Sequence, residues 1–210
     1  MLLIDHIYIN NLLGSLIVSR ETSEKLQLYD NLLKKWNSIY NLVDKKTLDC
    51  STSRHFLDCL QLAKHMDPNK PTVDIGSGAG FPGLILAIIG FKKITLVESN
   101  RKKVIFLSEV ARLTSTNVNI INERVEKIDL NFEQFTARGF AKVNTILKLF
   151  KDFSQNSSPT GYLLKGKNFQ NEINEALKTF SKFDWELFPS LVANDSYIIK
   201  IWNISNDDTL

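Results

Sequence analysis

The chain has 210 residues and a mass of 24.0 kDa, the size of one domain with at most a small appended element. Hydrophobic residues make up 43% and charged residues 23%, which excludes a disordered chain, a collagen-like repeat and a disulfide scaffold. Net charge is only +3, from 26 basic and 23 acidic residues, so partners have to be read from where the charge lies.

The N-terminus, Met1-Leu2-Leu3-Ile4-Asp5-His6, has no basic n-region and carries an acid within its apolar stretch, which argues against a signal peptide. The longest weakly polar run, 81–91, is far below the roughly 18–20 residues that cross a bilayer, and Gly and Pro interrupt it, so no membrane partner is expected. Cys50 and Cys59 are then expected as free thiols in a reducing cytoplasm. There is no internal repeat. Residues 1–66 read as an N-terminal helical element. Leu26, Tyr29, Leu32, Leu33, Trp36, Ile39 and Tyr40 recur at spacings of three and four, which marks one buried helical face. A second helix follows Ser51 or Thr52, carries Phe56, Leu57, Leu60 and Ala63, and ends at Asp67-Pro68.

Residues 67–210 read as one compact α/β unit. Strands are expected at 72–75, 94–97, 117–121, 134–137, 162–165, 185–188 and 197–202, with helices near 82–89, 100–113, up to 151 and 169–179. Linker-like residues occur at 67–71 and 154–159. The alternation predicts a mainly parallel sheet with helices on both faces, so ligands belong at the carboxyl ends of the strands.

The first strand runs into Asp74-Ile75-Gly76-Ser77-Gly78-Ala79-Gly80-Phe81-Pro82-Gly83. Glycines there allow backbone shapes closed to other residues and a close approach of ligand to main chain. A tight strand-to-helix turn also uses glycine, but this loop has more than a turn needs. Pro82 fits the first helical position, where its missing N–H costs nothing. Residues 78–83 match G-x-G-x-x-G, a weak dinucleotide signal. Counted from the strand end the pattern is G-x-G-x-G, and Asp74 precedes it by two residues. A carboxylate there disfavours a pyrophosphate and is compatible with S-adenosylmethionine (SAM), which carries a sulfonium and an ammonium. Glu98, ending the second strand, suits a ribose in either cofactor.

In order along the chain, Trp36-Asn37 with Asn41-Leu42, Arg54-His55-Phe56-Leu57-Asp58, the 74–83 loop, Leu96-Val97-Glu98-Ser99, Lys102-Lys103-Val104-Ile105-Phe106-Leu107, Arg124-Val125-Glu126, Ala137-Arg138-Gly139-Phe140-Ala141 and Leu164-Lys165-Gly166 resemble the motifs of the bacterial small-subunit rRNA methyltransferase G family (RsmG, or GidB, glucose-inhibited division protein B). The resemblance implies a Rossmann-like class I SAM-dependent methyltransferase fold and methylation of N7 of a guanosine in 16S rRNA, in the decoding-centre loop of the small ribosomal subunit. It implies SAM contacts at Gly76, Phe81, Val125, Glu126 and Arg138. Ser77, Gly78 and Glu98 join them from the loop and ribose arguments. The chain departs from the family pattern at Phe132-Glu133, at Gly139 in place of alanine, at Cys59 in place of serine, and at Asp195-Ser196-Tyr197 in place of basic residues.

Guanine N7 has a lone pair and no hydrogen, so the reaction needs alignment more than a general base. None is assigned. Arg138 is the residue expected near the reaction centre, holding a carboxylate or phosphate bidentately. Residues 92–112 hold six basic and two acidic side chains, and residues 138–151 hold four basic and none acidic. Arg101, Lys102, Lys142 and Lys165 are the RNA-binding candidates. A solvated helix face is the plainer account of such a run. His55 and Cys59, four apart, lack enough soft neighbours for zinc, and Arg54, His55 and Asp58 more plausibly fix the N-terminal helices by polar contacts. Trp36, Trp185 and Trp202 read as core. A cytoplasmic monomer without metal is expected. The other readings are a SAM enzyme for a small molecule or protein, a non-catalytic ribosome-binding relative, and an NAD(P) oxidoreductase.

Overall fold

The computed structural model describes residues 9–11, 14, 18–129, 131–153, 159–180 and 182–205. The N-terminal hexapeptide and most of the second linker-like stretch lie outside the described residues. Seven strands are β1 Thr72–Ile75, β2 Ile94–Val97, β3 Asn119–Ile121, β4 Gln134–Arg138, β5 Thr160–Gly166, β6 Lys182–Pro189 and β7 Ser196–Ser205. They form one sheet in the order β3-β2-β1-β4-β5-β7-β6, with β1 to β5 parallel and β7 inserted antiparallel between β5 and β6. The strand order reverses at β1, so the crevice between the carboxyl ends of β1 and β4 is the switch point.

The helices are α1 Arg20–Tyr40, a composite segment α2 at 52–64, α3 Gly83–Ile88, α4 Arg101–Leu113, α5 Val143–Phe153 and α6 Phe169–Leu177. Alternation along the strands splits the core into two layers. Leu96, Tyr162, Leu164 and Ile198 face a cluster with α1, α2, α3 and α4. Val73, Ile75, Phe135, Leu163 and Ile199 face α5 and α6 on the other side. The N-terminal helices thus complete one layer of the sheet: Leu26, Tyr29, Leu33, Phe56 and Leu60 are fully buried there.

Three sequence expectations shift. Pro82 precedes the helix and is joined to Phe81 by a cis peptide, and Gly83 takes the first helical position. That position needs its N–H, which donates to the Asp74 carboxylate at 3.0 Å, and proline has none to give. The second helix opens as π-helix over Thr52–Leu57 before one α-turn and a 3-10 turn. The tryptophans are all partly buried: Trp36 packs on one core, Trp185 on the other, and Trp202 lies under the Lys200 ammonium.

Candidate active site

β1 ends at Ile75 and the chain turns into α3 through residues 76–82. Gly76 has φ +64, and a Cβ on it would sit 2.2 Å from Phe140 Cδ2, so only glycine fits there. Ser77 is buried and turned inward. Its N–H donates to Val97 O and its hydroxyl to Asp74 O. Gly78 N–H donates to Glu98 Oε2 and Asn100 N–H to Glu98 Oε1, both at 2.8 Å, while Asn100 Oδ1 caps α4. One carboxylate thereby ties the glycine loop to the end of β2 and the start of α4.

Asp74 does not face a ligand, which corrects the charge argument made for it. Its side chain is fully buried and accepts from Gly83 N–H at 3.0 Å and Thr136 Oγ1 at 2.9 Å. Burial pushes its carboxyl up to about 7. Asp74 braces β1, α3 and β4.

Beneath the loop, α1 and α2 contribute a stack of rings. Tyr29 stacks on Phe81 at 5.4 Å, His55 stacks on the same ring at 5.1 Å, and Phe56 meets it edge-on. The Tyr29 hydroxyl donates to Ala79 O in the loop itself. Phe81 therefore supports the loop from behind. Arg138, ending β4, reaches across to α2. Its Nε donates to Asp58 Oδ2 at 3.2 Å, and Nη2 to Arg54 O at 2.7 Å and His55 Nδ1 at 3.0 Å. Only Nη1 is left for a ligand, so the expected bidentate grip on a carboxylate or phosphate is not available. The partners Arg54, His55 and Asp58 dock the N-terminal helices on the sheet through this one guanidinium.

Because His55 Nδ1 accepts from Arg138, the ring proton sits on Nε2 and is donated to Thr47 Oγ1 at 2.8 Å. Burial first, then Arg138 and Arg54, lower His55 to about 4. The unfolded chain protonates this ring near 6.5, so the neutral ring's contribution is complete above that pH and is lost as pH falls toward 4. Asp74 and Asp58, both raised by burial, act with the opposite sign. The expected result is that the stability gap between the wild type and His55→Gln narrows by roughly 1–2 kcal/mol from pH 7 to pH 5. Urea melts at the two pH values measure it, and a constant gap would count against the neutral ring.

Two cavities meet at Gly139 and Phe140. One, about 240 Å³, is lined by Gly76, Glu98, Lys103, Arg124, Val125 and Glu126 among others. The other, about 770 Å³, is lined by Arg54, Asp58, Arg138, Lys142, Leu164, Lys165, Gly166, Lys167, Glu172, Asp195 and Ser196. Gly139 and Phe140 line both. Of the expected cofactor residues, Gly76, Glu98, Val125 and Glu126 share the smaller cavity, and Arg138 lines the larger. Ser77 and Phe81 line neither, and Gly78 reaches the smaller one through Glu98. Lys142 and Lys165 line the larger cavity with their ammoniums engaged, Lys142 by Glu175 and Lys165 by Glu172 and Ala141 O. Arg101 and Lys102 open α4 outside both linings. Lys92 and Lys93 precede β2 and so lie at the opposite end of the sheet from the site. Arg54, expected to fix the N-terminal helices, and Lys167, expected beside Lys165 as a phosphate contact, both line the larger cavity, and their charged groups make no ion pair among the described residues. Sequence reading missed Phe140, whose signal was its place next to Arg138.

A family model described as rRNA small subunit methyltransferase G matches residues 22–196. The chain belongs to that family. A relative named ribosomal RNA small subunit methyltransferase G from Rickettsia felis is 41% identical over 190 residues, covering 90% of this chain and 97% of that protein. One of the same name from Orientia tsutsugamushi is 42% identical over 187 residues, covering 88% and 92%. Among solved structures, a putative SAM-dependent methyltransferase from Methanococcus maripaludis superposes with TM-score 0.57 at 13% identity, covering 79% of this chain and 94% of that one. A ribosomal protein L11 methylase from Lactobacillus delbrueckii subsp. bulgaricus gives 0.55 at 15%, covering 69% and 76%. The fold of this methyltransferase G chain is therefore the class I SAM-dependent one, completed by its own N-terminal helices. Among its described residues no helix is long and apolar enough to cross a membrane.

Proposed function

We propose that this chain transfers a methyl group from SAM to N7 of a guanosine in 16S rRNA, in the decoding-centre loop of the small ribosomal subunit. The observation that carries the reading is the meeting of two cavities at Gly139 and Phe140, one lined by Gly76, Glu98 and Val125 and the other by Arg54 and Lys167, which make no ion pair among the described residues.

The smaller cavity fits the adenosine half of SAM. Gly76 presents bare backbone, Val125 an apolar surface, and each Glu98 oxygen that accepts one N–H keeps a lone pair for a ribose hydroxyl. SAM supplies a methyl already activated on sulfonium. Guanine N7 has an in-plane lone pair and no proton to lose, so the chain's residues need only align the two and exclude water. Arg54 and Lys167 in the lining of the larger cavity suit RNA phosphates, with Arg138 lining the same space. Lys165 then acts as a brace for the 139–142 segment. The displacement asks for no Lewis acid, so the step itself needs no metal. The rRNA substrate supports a cytoplasmic site of action.

The test is transfer of labelled methyl from SAM to small ribosomal subunits, and to stripped 16S rRNA, prepared from a strain lacking the modification. Label on guanine N7 in the decoding-centre loop is expected. Transfer to neither substrate, with SAM binding intact, would move a small-molecule or protein acceptor to the front. In the same preparations Glu98→Ala is expected to weaken SAM binding by roughly 10- to 100-fold, the loss of charge-assisted hydrogen bonds to a ribose. Calorimetry that finds SAM bound as tightly by this variant would remove Glu98 from the ribose.

A further inference from the structure

We propose that Phe140 is a positioning residue for the target base: its ring, which lines both cavities, turns outward and stacks on the guanine. The inference rests on the rRNA reading above.

Four observations support it. First, the ring edge lies against Gly76, the start of the cofactor loop, with Cδ2 2.2 Å and Cε2 and Cγ 3.0 Å from where a Gly76 Cβ would be. Second, Phe140 and Gly139 are the residues common to the linings of the two cavities. A base in the larger cavity that receives a methyl group from the smaller one therefore meets it beside this ring.

Third, the chain is pinned on either side of the ring. Arg138 is held by Asp58, Arg54 and His55. On the far side, Ala141 O accepts from Lys165, and Val143 N–H donates to Glu172 at 3.0 Å. Gly139 and Phe140 lie between these anchors. Fourth, Gly139 stands at φ +61, with nothing within 4 Å of where a Cβ would be. Its backbone has both the conformational range and the room to turn the ring.

The direction of the turn follows from chemistry. Phe140 is half-buried and packs at the margin of the core layer that holds α5 and α6. Turned away from Gly76, its face enters the larger cavity, where the unpaired cations await an RNA strand. A flat ring beside a splayed base stacks on it, as aromatic side chains do in single-strand RNA recognition. The plane of the purine is then set by the ring, and N7 is presented to the smaller cavity.

The experiment compares wild type, Phe140→Leu and Phe140→Trp in four measurements: SAM affinity, affinity for small subunits without SAM, the rate of methyl transfer, and thermal midpoint. Leucine preserves apolar bulk but cannot stack. Phe140→Leu is expected to weaken subunit binding and lower kcat/KM for the subunit by roughly 10- to 100-fold, the range for loss of one base–aromatic stack. SAM affinity should change less than about threefold, and Phe140→Trp should restore most of the loss. If Phe140→Leu matches wild type, the inference fails while the rRNA reading stands. A loss confined to SAM affinity or thermal midpoint, equal for both variants, would make the ring a cofactor wall or a core plug and overturn it. A wild type that methylates no RNA would sink both.

Discussion

Gly83→Ala is expected to cost about 2–6 kcal/mol of stability and to weaken SAM binding. A Cβ there would lie 2.5 Å from Leu96 Cδ2, 2.6 Å from Asp74 Cβ and 2.7 Å from Asp74 Oδ2. All three neighbours are buried and belong to the sheet, so none can give way cheaply. Overpacking of this kind costs about 1–3 kcal/mol. Pushing Asp74 off the Gly83 N–H adds about 1–3 kcal/mol, because donor and acceptor are both buried. The functional consequence follows from the same displacement. Asp74 also holds Thr136 on β4, so the loop and the β4 end move together. Denaturant unfolding and SAM calorimetry on the one variant check both halves. An unchanged midpoint would show that α3 can slide away from β1, which the packing forbids.

Arg138→Ala is expected to cost about 3 kcal/mol and to abolish methyl transfer. The substitution strips the counter-ion from Asp58, whose side chain is 9% exposed, and removes the donor from Arg54 O and His55 Nδ1. Breaking such a pair from one side leaves an uncompensated buried charge, and that is the costly direction. Arg138→Lys should recover little, since one ammonium cannot reach acceptors that a planar fork spans. The double variant Asp58→Ala/Arg138→Ala separates two roles. It should regain part of the lost stability, because the orphaned carboxylate is gone. If methyl transfer returns with it, Arg138 acts only by docking the N-terminal helices. If transfer stays absent, its remaining Nη1 touches substrate.

These two residues also show where sequence reading reached and where it stopped. The glycine loop was legible because a strand followed by crowded glycines has few other uses, and Gly76 and Glu98 line one cavity at the carboxyl ends of β1 and β2. Asp74 was noticed for its charge, and its actual work is to hold a helix start from a fully buried position. No local pattern distinguishes a carboxylate that faces a ligand from one that faces a backbone N–H nine residues on. Arg138 was expected near the reaction centre. Its three acceptors lie on α2, some eighty positions earlier, and no spacing rule connects them. The basic stretch at 92–112 is a single run along the chain. The strand between its lysine pairs puts Lys92 and Lys93 at one end of the sheet and Lys103 at the other.

By itself, the sequence determined the alternation of strands and helices, the buried face of α1 and the loop that follows β1. All of these rest on periodicity and on backbone freedom, which are properties of neighbouring residues. Tertiary structure decided the rest. It placed β7 between β5 and β6, split the basic residues between opposite ends of the sheet, and set Tyr29, His55 and Phe81 in one stack beneath the loop. It also brought Phe140 over Gly76, sixty-four positions away, at the meeting of two cavities. Such contacts form only when separate elements close on a shared core, so their geometry is set by packing across the sheet and not by any stretch of chain.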